Sequence, residues 1–284
     1  MAKDTFFQKK ATLNVGGKLI DLCTPRVMGI INLTPDSFFV GSRKPLVADA
    51  VQQAEKMLNE GATFLDLGAY SSRPGAADIS TEEETDRLLP VVEAIAGRFP
   101  EAVLSVDTFR ALVAEAAIKA GAHIINDISG GELDTEMFAT VARLQVPYIL
   151  MHMKGTPQNM QQMTTYEDVF GEVYDYFVTR YHRLKQLGVN DVIIDPGFGF
   201  AKKAEQSYAL MSRLHEFNTL QLPLLVGISR KKMVYGLLGT TAAEALIGTT
   251  ALNTIALTKG ANILRVHDVK EAVEAVKIWG ACNS

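Results

Sequence analysis

Short apolar runs alternate with longer amphipathic stretches along most of the chain. Each run closes on polar residues or glycine, and the stretch that follows has helical spacing. This alternation predicts parallel strands joined by helices. The runs are VMGII ending at Asn32, FLDL at Gly68, VLSV at Asp107, HII at Asn126, YIL before Met151, VII at Asp195, LLV before Ser229 and NIL before Arg265.

The predicted strands are apolar throughout, as expected when helices cover both faces of a sheet. Eight such units predict an α/β fold, a (β/α)8 TIM barrel, in a single domain over residues 1–284. A doubly wound open sheet would share the alternation. However, no GxGxxG or GxxxxGK[ST] motif follows the first run, and polar residues end every run rather than one switch point.

Local patterns predict the other elements. An apolar stripe from Leu46 to Leu58 indicates a helix that stops at Gly61. Thr81 with Glu84 forms a capping-box pattern, and residues 167–187 make the longest helical stretch. The N-terminal extension, residues 1–24, holds a hairpin pattern turning at two glycines, which we expect to plug the barrel bottom.

Composition and charge narrow the function. The chain has 284 residues, 48% of them hydrophobic and 21% charged, which is ordinary for a folded protein. A formal charge of −4 argues against nucleic acid or an anionic membrane as the main partner, so small molecules are expected. No apolar run is long enough to span a membrane. Cys23 and Cys282 are far apart and lack CxxC spacing, which favours a reducing compartment, the cytoplasm.

Polar residues at the ends of the predicted strands should meet in one pocket, because the loops after the strands form the active face of a barrel. Asp107, Asn126 and Asp195 each follow an apolar run directly. Two carboxylates and an amide suit an amino-pyrimidinone edge that carries several N–H donors. Alternatively, each of these residues could cap the next helix or bond to loop backbone.

A basic cluster follows the last two strands. GISRKK places Ser229, Lys231 and Lys232 after the seventh run, and RVHD places Arg265 and His267 after the eighth. Barrels commonly hold phosphate there, and Asp268 could cap a helix over 269–279 whose positive dipole end faces the same place. These residues therefore predict an oxyanion site, unless the basic run is only a solvated face.

Three loops carry further candidate residues. NLTPDSFF places Asn32 at a strand end and Asp36 in a Pro-containing loop that would suit a catalytic lid, although an ordinary Asn-initiated turn would look the same. SSRPGA holds Arg73 between Ser72 and Pro74, where a guanidinium could bind carboxylate or phosphate. DPGFGF places two phenylalanines beside Asp195, which could equally be core residues.

Taken together and in order, these strings resemble the dihydropteroate synthase family. The matching strings are NLTPDSF, SSRPGA, SVDT, IIND, LMHM, DPGFGF, GISRK and RVHD. The resemblance runs from about Pro25 to Lys277, nearly the whole chain. It implies a pterin-binding barrel that joins (7,8-dihydropterin-6-yl)methyl diphosphate to 4-aminobenzoate, using Mg²⁺, and that forms a homodimer.

The resemblance also implies roles for individual residues. Asn32 would bind Mg²⁺. Asp36, Arg73, Lys231, Arg265 and His267 would be the catalytic residues. The residues that would hold the pterin diphosphate are Ser72, Asp107, Asn126, Met153, Asp195, Lys231, Arg265 and His267. Those that would border the aminobenzoate are Phe38, Arg73, Pro74, Phe200 and Lys232.

The chain departs from the usual family pattern in three places. Ala69, Tyr70, Ser71 and Ser72 stand where Gly-Glu-Ser-Thr is common, so a hydroxyl is kept and a carboxylate is lost. Lys232 replaces a common serine, and the first loop reads Phe-Val-Gly over 39–41 instead of an acidic, Gly-rich run.

The expected chemistry is an ionisation-first displacement. The arylamine is neutral near pH 7, so the difficult step is the loss of pyrophosphate, which Mg²⁺, Arg265, His267 and the helix dipole would assist. Alternatives are a lyase that forms a Schiff base at Lys231, a non-catalytic pterin-binding relative, and a metal-dependent hydrolase, although no HxH follows the first run.

Overall fold

The computed structural model describes residues 12–33, 43–71 and 78–283, with the side chains of 43–45 left out. The strands in these residues are β1 Thr12–Val15, β2 Lys18–Asp21, β3 Arg26–Asn32, β4 Phe64–Gly68, β5 Val103–Asp107, β6 Ile124–Asp127, β7 Tyr148–Met151, β8 Val192–Asp195, β9 Leu225–Val226 and β10 Ile263–Val266. The last eight form one parallel sheet in the order β8-β7-β6-β5-β4-β3-β10-β9, and β1 and β2 form a separate antiparallel hairpin.

The two edge strands of this sheet meet. A parallel bridge joins Ile194 of β8 to Leu224 beside β9, and the Ile194 amide donates to the Pro223 carbonyl at 2.9 Å. The sheet is therefore nearly closed into the predicted barrel, and the open-sheet alternative is wrong.

Helices fill the connections between strands. In the described ranges they are α1 Arg43–Asn59, α2 Thr81–Arg98, α3 Ala111–Lys119, α4 Met137–Leu144, α5 Val169–Gln186, α6 Ala204–Ser212, α7 Lys232–Leu238, α8 Leu246–Thr258 and α9 Val269–Asn283, with 3₁₀ turns at Met160–Gln162 and Leu214–Leu220. Each of these helices is too short or too polar to cross a bilayer.

The strands bury both faces, in two separate clusters. Leu65 and Leu67 of β4 pack outward against the helices, whereas Phe64 joins an inner cluster with the first inward residues of the other strands. Leu13 and Leu22, from the hairpin region, complete this inner cluster and are fully buried. The hairpin thus plugs the barrel bottom, as predicted.

Two predicted helix caps are wrong in detail. Ser80, not Thr81, caps α2, and its Oγ accepts from the Glu83 amide at 3.1 Å. Glu84 is fully buried and accepts from Arg110 Nη1 at 2.5 Å. Burying a carboxylate without a charged donor would cost more free energy than losing a capping hydrogen bond, so Glu84 pairs with Arg110. Asp268 lies where α9 begins, and its carbonyl accepts from the Ala272 amide at 3.2 Å, but its carboxylate accepts two bonds from Arg230, both at 2.9 Å.

Candidate active site

The carboxyl ends of β4, β5, β6 and β10 bring four polar side chains together. Arg265 donates from Nε to Asp66 Oδ2 at 2.6 Å and from Nη2 to Asp107 Oδ2 at 2.7 Å. Asn126 Nδ2 donates to the same Asp66 oxygen at 2.9 Å. The sequence predicted that Asp107, Asn126 and Arg265 would meet, and the structure places them in one network.

Asp66 is the member that sequence reasoning missed. It lies inside the run FLDL, which looks like an uninterrupted apolar strand. In the structure its side chain is fully buried. Its position two residues after the inward-facing Phe64 was the available signal, since residues at that spacing share one face of a strand. Asp66 Oδ1 has no hydrogen-bond partner among the described residues.

Burial sets the electrostatics of this network. It raises the pKa of Asp107, an effect that Arg265 opposes and the charge of Asp66 reinforces. For Arg265, burial disfavours the charged form, but Asp66 and Asp107 outweigh it and raise the pKa further. The guanidinium therefore stays charged, while Asp107 takes up a proton more readily than an exposed carboxyl.

Asp195 and Lys231 form the other side of the barrel mouth, the pocket at the carboxyl ends of the strands. Asp195 Oδ1 accepts from the Gly197 amide at 2.8 Å, and burial raises its pKa. Lys231 Nζ donates to the Phe198 carbonyl at 2.6 Å and lies 4.5 Å from the centre of the Phe200 ring. Burial lowers the pKa of Lys231 to about 8, with the charge of Asp195 opposing it.

The predicted oxyanion corner is built around Ser229 and His267. Ser229 Oγ lies 3.2 Å from the His267 amide nitrogen, which donates to it, and 3.1 Å from His267 Nδ1. Partial removal from water and the charge of Arg265 lower the pKa of His267, so the imidazole is neutral near pH 7. Helix α9 begins two residues later, at Val269.

The basic run has mixed surroundings. Arg230 pairs with Asp268 and also donates to the Ala242 carbonyl at 2.8 Å, so its role is structural. Lys231 points into the mouth, and Lys232 is exposed at the start of α7. The solvated-face alternative thus describes only Lys232.

The remaining predicted residues fall into two groups. Met153 is buried in an apolar cluster against which the half-buried Phe200 packs. Asn32 is half-buried at the end of β3, between the ends of β4 and β10. The other predicted residues lie outside the described residues: Asp36, Phe38, Ser72, Arg73 and Pro74.

Comparison with known proteins agrees with this geometry. The chain matches the pterin binding enzyme family over residues 28–267. It is 48% identical to dihydropteroate synthase of Escherichia coli (strain K12) over 270 residues, covering 94% of this chain and 95% of that protein. The Synechocystis enzyme of the same name is 41% identical, covering 90% of this chain and 89% of its own length.

Solved structures give the same result. A Yersinia pestis dihydropteroate synthase in complex with a sulfonamide drug superposes with a TM-score of 0.90 at 44% identity, covering 96% of this chain and 99% of the other. A Xanthomonas albilineans dihydropteroate synthase with 4-aminobenzoic acid superposes with a TM-score of 0.90 at 38% identity, covering 96% and 98%. The chain therefore belongs to the dihydropteroate synthases of the pterin-binding enzyme family.

Proposed function

We propose that this chain condenses (7,8-dihydropterin-6-yl)methyl diphosphate with 4-aminobenzoate to form 7,8-dihydropteroate and pyrophosphate. The observation that carries the proposal is the barrel mouth, where hydrogen-bond acceptors for a pterin lie beside an oxyanion corner. The Xanthomonas albilineans relative has been solved with 4-aminobenzoic acid and with 7,8-dihydropteroate, the second substrate and the product of this reaction.

The pterin binds to the acceptors of the mouth. Asp107 and Asp195 accept from the N–H groups of its amino-pyrimidinone edge, Asn126 supplies an amide, and Lys231 donates to a ring acceptor. Met153 packs against the ring system. Because Lys231 already donates to the Phe198 carbonyl, its ammonium is held in place before the substrate arrives.

The diphosphate lies at the corner formed by Arg265, Ser229 and His267. When the Ser229 hydroxyl donates to His267 Nδ1, the proton of the neutral ring is on Nε2, which can donate to a phosphate oxygen. The N-terminus of α9 adds its positive dipole end. Donors fixed before reaction stabilise a departing anion without reorganisation.

Loss of pyrophosphate leads the reaction. Arg265 and His267 stabilise the leaving group, while Asp107 and Asp195 place negative potential beside the methylene as it becomes cationic. The amino nitrogen of the aminobenzoate then bonds to the methylene carbon and loses one proton to solvent, with Phe200 and Lys232 bordering its side of the mouth. The sequence motifs also assign Phe38, Arg73 and Pro74 to the aminobenzoate; these residues, like Asp36 and Ser72, lie outside the described residues.

Asn32 fits a magnesium site. In the described ranges, no group of three or more His, Cys, Asp or Glu side chains could hold a metal ion by itself. A lone amide oxygen suits Mg²⁺ that arrives with the diphosphate, because this ion keeps waters and phosphate oxygens as ligands. When bound, Mg²⁺ would neutralise charge on the leaving diphosphate.

The test is pyrophosphate release from the pterin diphosphate with and without 4-aminobenzoate and Mg²⁺. We expect release that depends on both. Arg265→Ala and His267→Ala should each lower kcat roughly 100-fold, as the loss of an oxyanion donor does. Lys277→Ala removes an exposed lysine of α9 and should leave kcat unchanged. A borohydride-trapped adduct at Lys231 without aminobenzoate-dependent release would instead support the lyase.

We also propose a homodimer that covers an apolar surface on α7 and α8. Leu237 and Leu238 of α7 are exposed, and Ile247, Ala251 and Ile255 form a stripe along α8 in which Ile247 is 83% exposed. A contiguous exposed apolar surface of this kind marks an interface.

The test of the dimer is sedimentation velocity of Ile247→Glu, which should be a monomer where the parent chain is a dimer. Leu112→Glu places the same charge on α3, at another exposed leucine, and should leave the dimer intact. A monomeric parent chain, or a dimeric Ile247→Glu, would contradict this interface.

We place the protein in the cytoplasm. Cys23 and Cys282 are exposed, unpaired thiols, which a reducing compartment preserves. Fractionation of cells that express the full-length protein, with detection by antibody, tests this.

A further inference from the structure

One buried lysine outside the predicted site holds several backbone carbonyls at once. Lys202 is 4% exposed. Its Nζ donates to the carbonyls of Phe200 at 3.0 Å, Gly197 at 3.1 Å and His152 at 3.2 Å, and it lies 2.8 Å from His152 Nδ1.

The segment that Lys202 holds is the loop 195–200, which carries three features of the mouth. Asp195 accepts from the Gly197 amide, so the turn at Gly197 orients its carboxylate. The Phe198 carbonyl accepts from Lys231, and the Phe200 ring lies beneath the same ammonium. Lys202 binds the carbonyls of Gly197 and Phe200, on either side of Phe198.

His152 anchors this loop to the barrel. It follows β7 directly, and its amide donates to the Asp195 carbonyl at 3.0 Å. Its ring packs edge-on against Tyr176, with centroids 4.7 Å apart. The fit is tight, since a Cβ added at Gly197 would lie 2.1 Å from the His152 carbonyl oxygen.

A primary amine suits this position. Three carbonyls and an imidazole nitrogen surround one nitrogen, and the three N–H bonds of an ammonium are shared among these four acceptors. An apolar side chain of similar length would leave the buried carbonyls of Gly197 and Phe200 without this donor.

We propose that Lys202 and His152 are a positioning pair, which fixes the loop 195–200 so that Asp195 and Lys231 are oriented for the pterin. Both side chains are buried, and we expect them to act on the substrate only through this loop. The inference rests on the proposed function of the mouth and adds these two residues to it.

The experiment compares Lys202→Met with Lys203→Met, which removes the adjacent, exposed lysine. We expect Lys202→Met to raise KM for the pterin diphosphate about tenfold or more, the equivalent of losing one or two buried hydrogen bonds. Lys203→Met should leave it unchanged. Calorimetric titration of the pterin diphosphate alone should show the same weakening of Kd.

A second pair keeps the proposal testable if Lys202→Met does not fold. His152→Asn keeps an acceptor near the Nδ1 position and should stay close to the parent KM, whereas His152→Leu removes it and should raise KM. A purely structural role would lower Tm and leave KM and Kd of the folded protein unchanged, which would overturn the proposal. Absence of pterin turnover and binding in the parent chain would instead overturn the proposed function.

Discussion

At the scale of single residues, one guanidinium is shared between two carboxylates. Arg265 binds Asp66 and Asp107, and Asp66 also accepts from Asn126. Such a network fixes the orientation of four polar side chains before any substrate binds. Its members include an acceptor for the pterin, Asp107, and a donor for the diphosphate, Arg265, so the two halves of the substrate site are mechanically connected.

Asp66→Asn should therefore impair catalysis without direct contact to the reacting atoms. We expect kcat/KM to fall roughly 10- to 100-fold, because Arg265 loses a charged partner, and the free energy of unfolding to fall by about 1–3 kcal/mol. Steady-state kinetics and urea unfolding measure the two effects. Asp175→Asn changes an exposed carboxylate and serves as the control; equal kinetics for both variants would contradict the role of Asp66.

Asp107 should make stability depend on pH. Because its native pKa is raised above the unfolded value, the native state binds the proton more tightly, and this stabilisation is lost as pH rises from about 4 through the raised pKa. Asp107→Asn mimics the neutral acid. Its free energy of unfolding relative to the parent chain should rise between pH 5 and pH 8, by on the order of 1–3 kcal/mol, while pterin affinity falls.

Urea unfolding at several pH values checks this prediction. A difference between Asp107→Asn and the parent chain that does not change with pH would show that Asp107 titrates normally in the folded protein.

The strand-end residues could be predicted from sequence, because Asp107, Asn126 and Asp195 each follow an apolar run directly. Two others could not. Asp66 interrupts a run that otherwise looks like buried strand, and Lys202 sits beside Lys203 in a pair that looks solvated. The spacing from Phe64 gives the strand face on which Asp66 lies, but both residues are buried polar groups whose partners come from distant strands and loops, and no local pattern identifies those partners.

At the scale of elements, boundaries were less predictable than the elements themselves. Ser80 and Thr81 both carry hydroxyls, and the spacing alone fits Thr81 with Glu84. The tertiary pair of Glu84 with Arg110 decides the outcome, because it takes the Glu84 carboxylate away from the helix end. Ser80 therefore caps α2 with its hydroxyl oxygen.

The end of α4 offers a stabilising substitution. Gln145 follows the helix with φ of 53°, a left-handed conformation that favours glycine. Gln145→Gly should raise the free energy of unfolding by about 0.5–1 kcal/mol, as measured by urea unfolding. Gln145→Ala loses the same side chain but keeps a Cβ, so it should give no gain; an equal gain in both variants would refute the backbone explanation.

At the scale of the whole molecule, one end of the barrel contributes to stability and the other holds the candidate active site. Leu13 and Leu22 close the bottom together with Phe64, while the polar network occupies the opposite end, where the strands finish. Stability and catalysis should therefore separate along the barrel axis.

Leu13→Ala tests this separation. Removal of a fully buried leucine from the inner cluster should lower the free energy of unfolding by about 2–5 kcal/mol, with kcat and KM of the folded enzyme unchanged. Leu19→Ala alters a residue of the same hairpin that is 68% exposed and should change stability little. A large kinetic effect of Leu13→Ala would mean that the two ends are coupled.

The weak pairing between β8 and β9 determines where the barrel should open locally. In the described ranges, one bridge between Ile194 and Leu224 closes the ring there, so this seam should be its first place to open. Asp195 lies on one side of the seam, and Lys231 follows β9 on the other. A pterin bound to both residues would link β8 to β9. Its binding should therefore slow amide hydrogen exchange at β9 more than at β5.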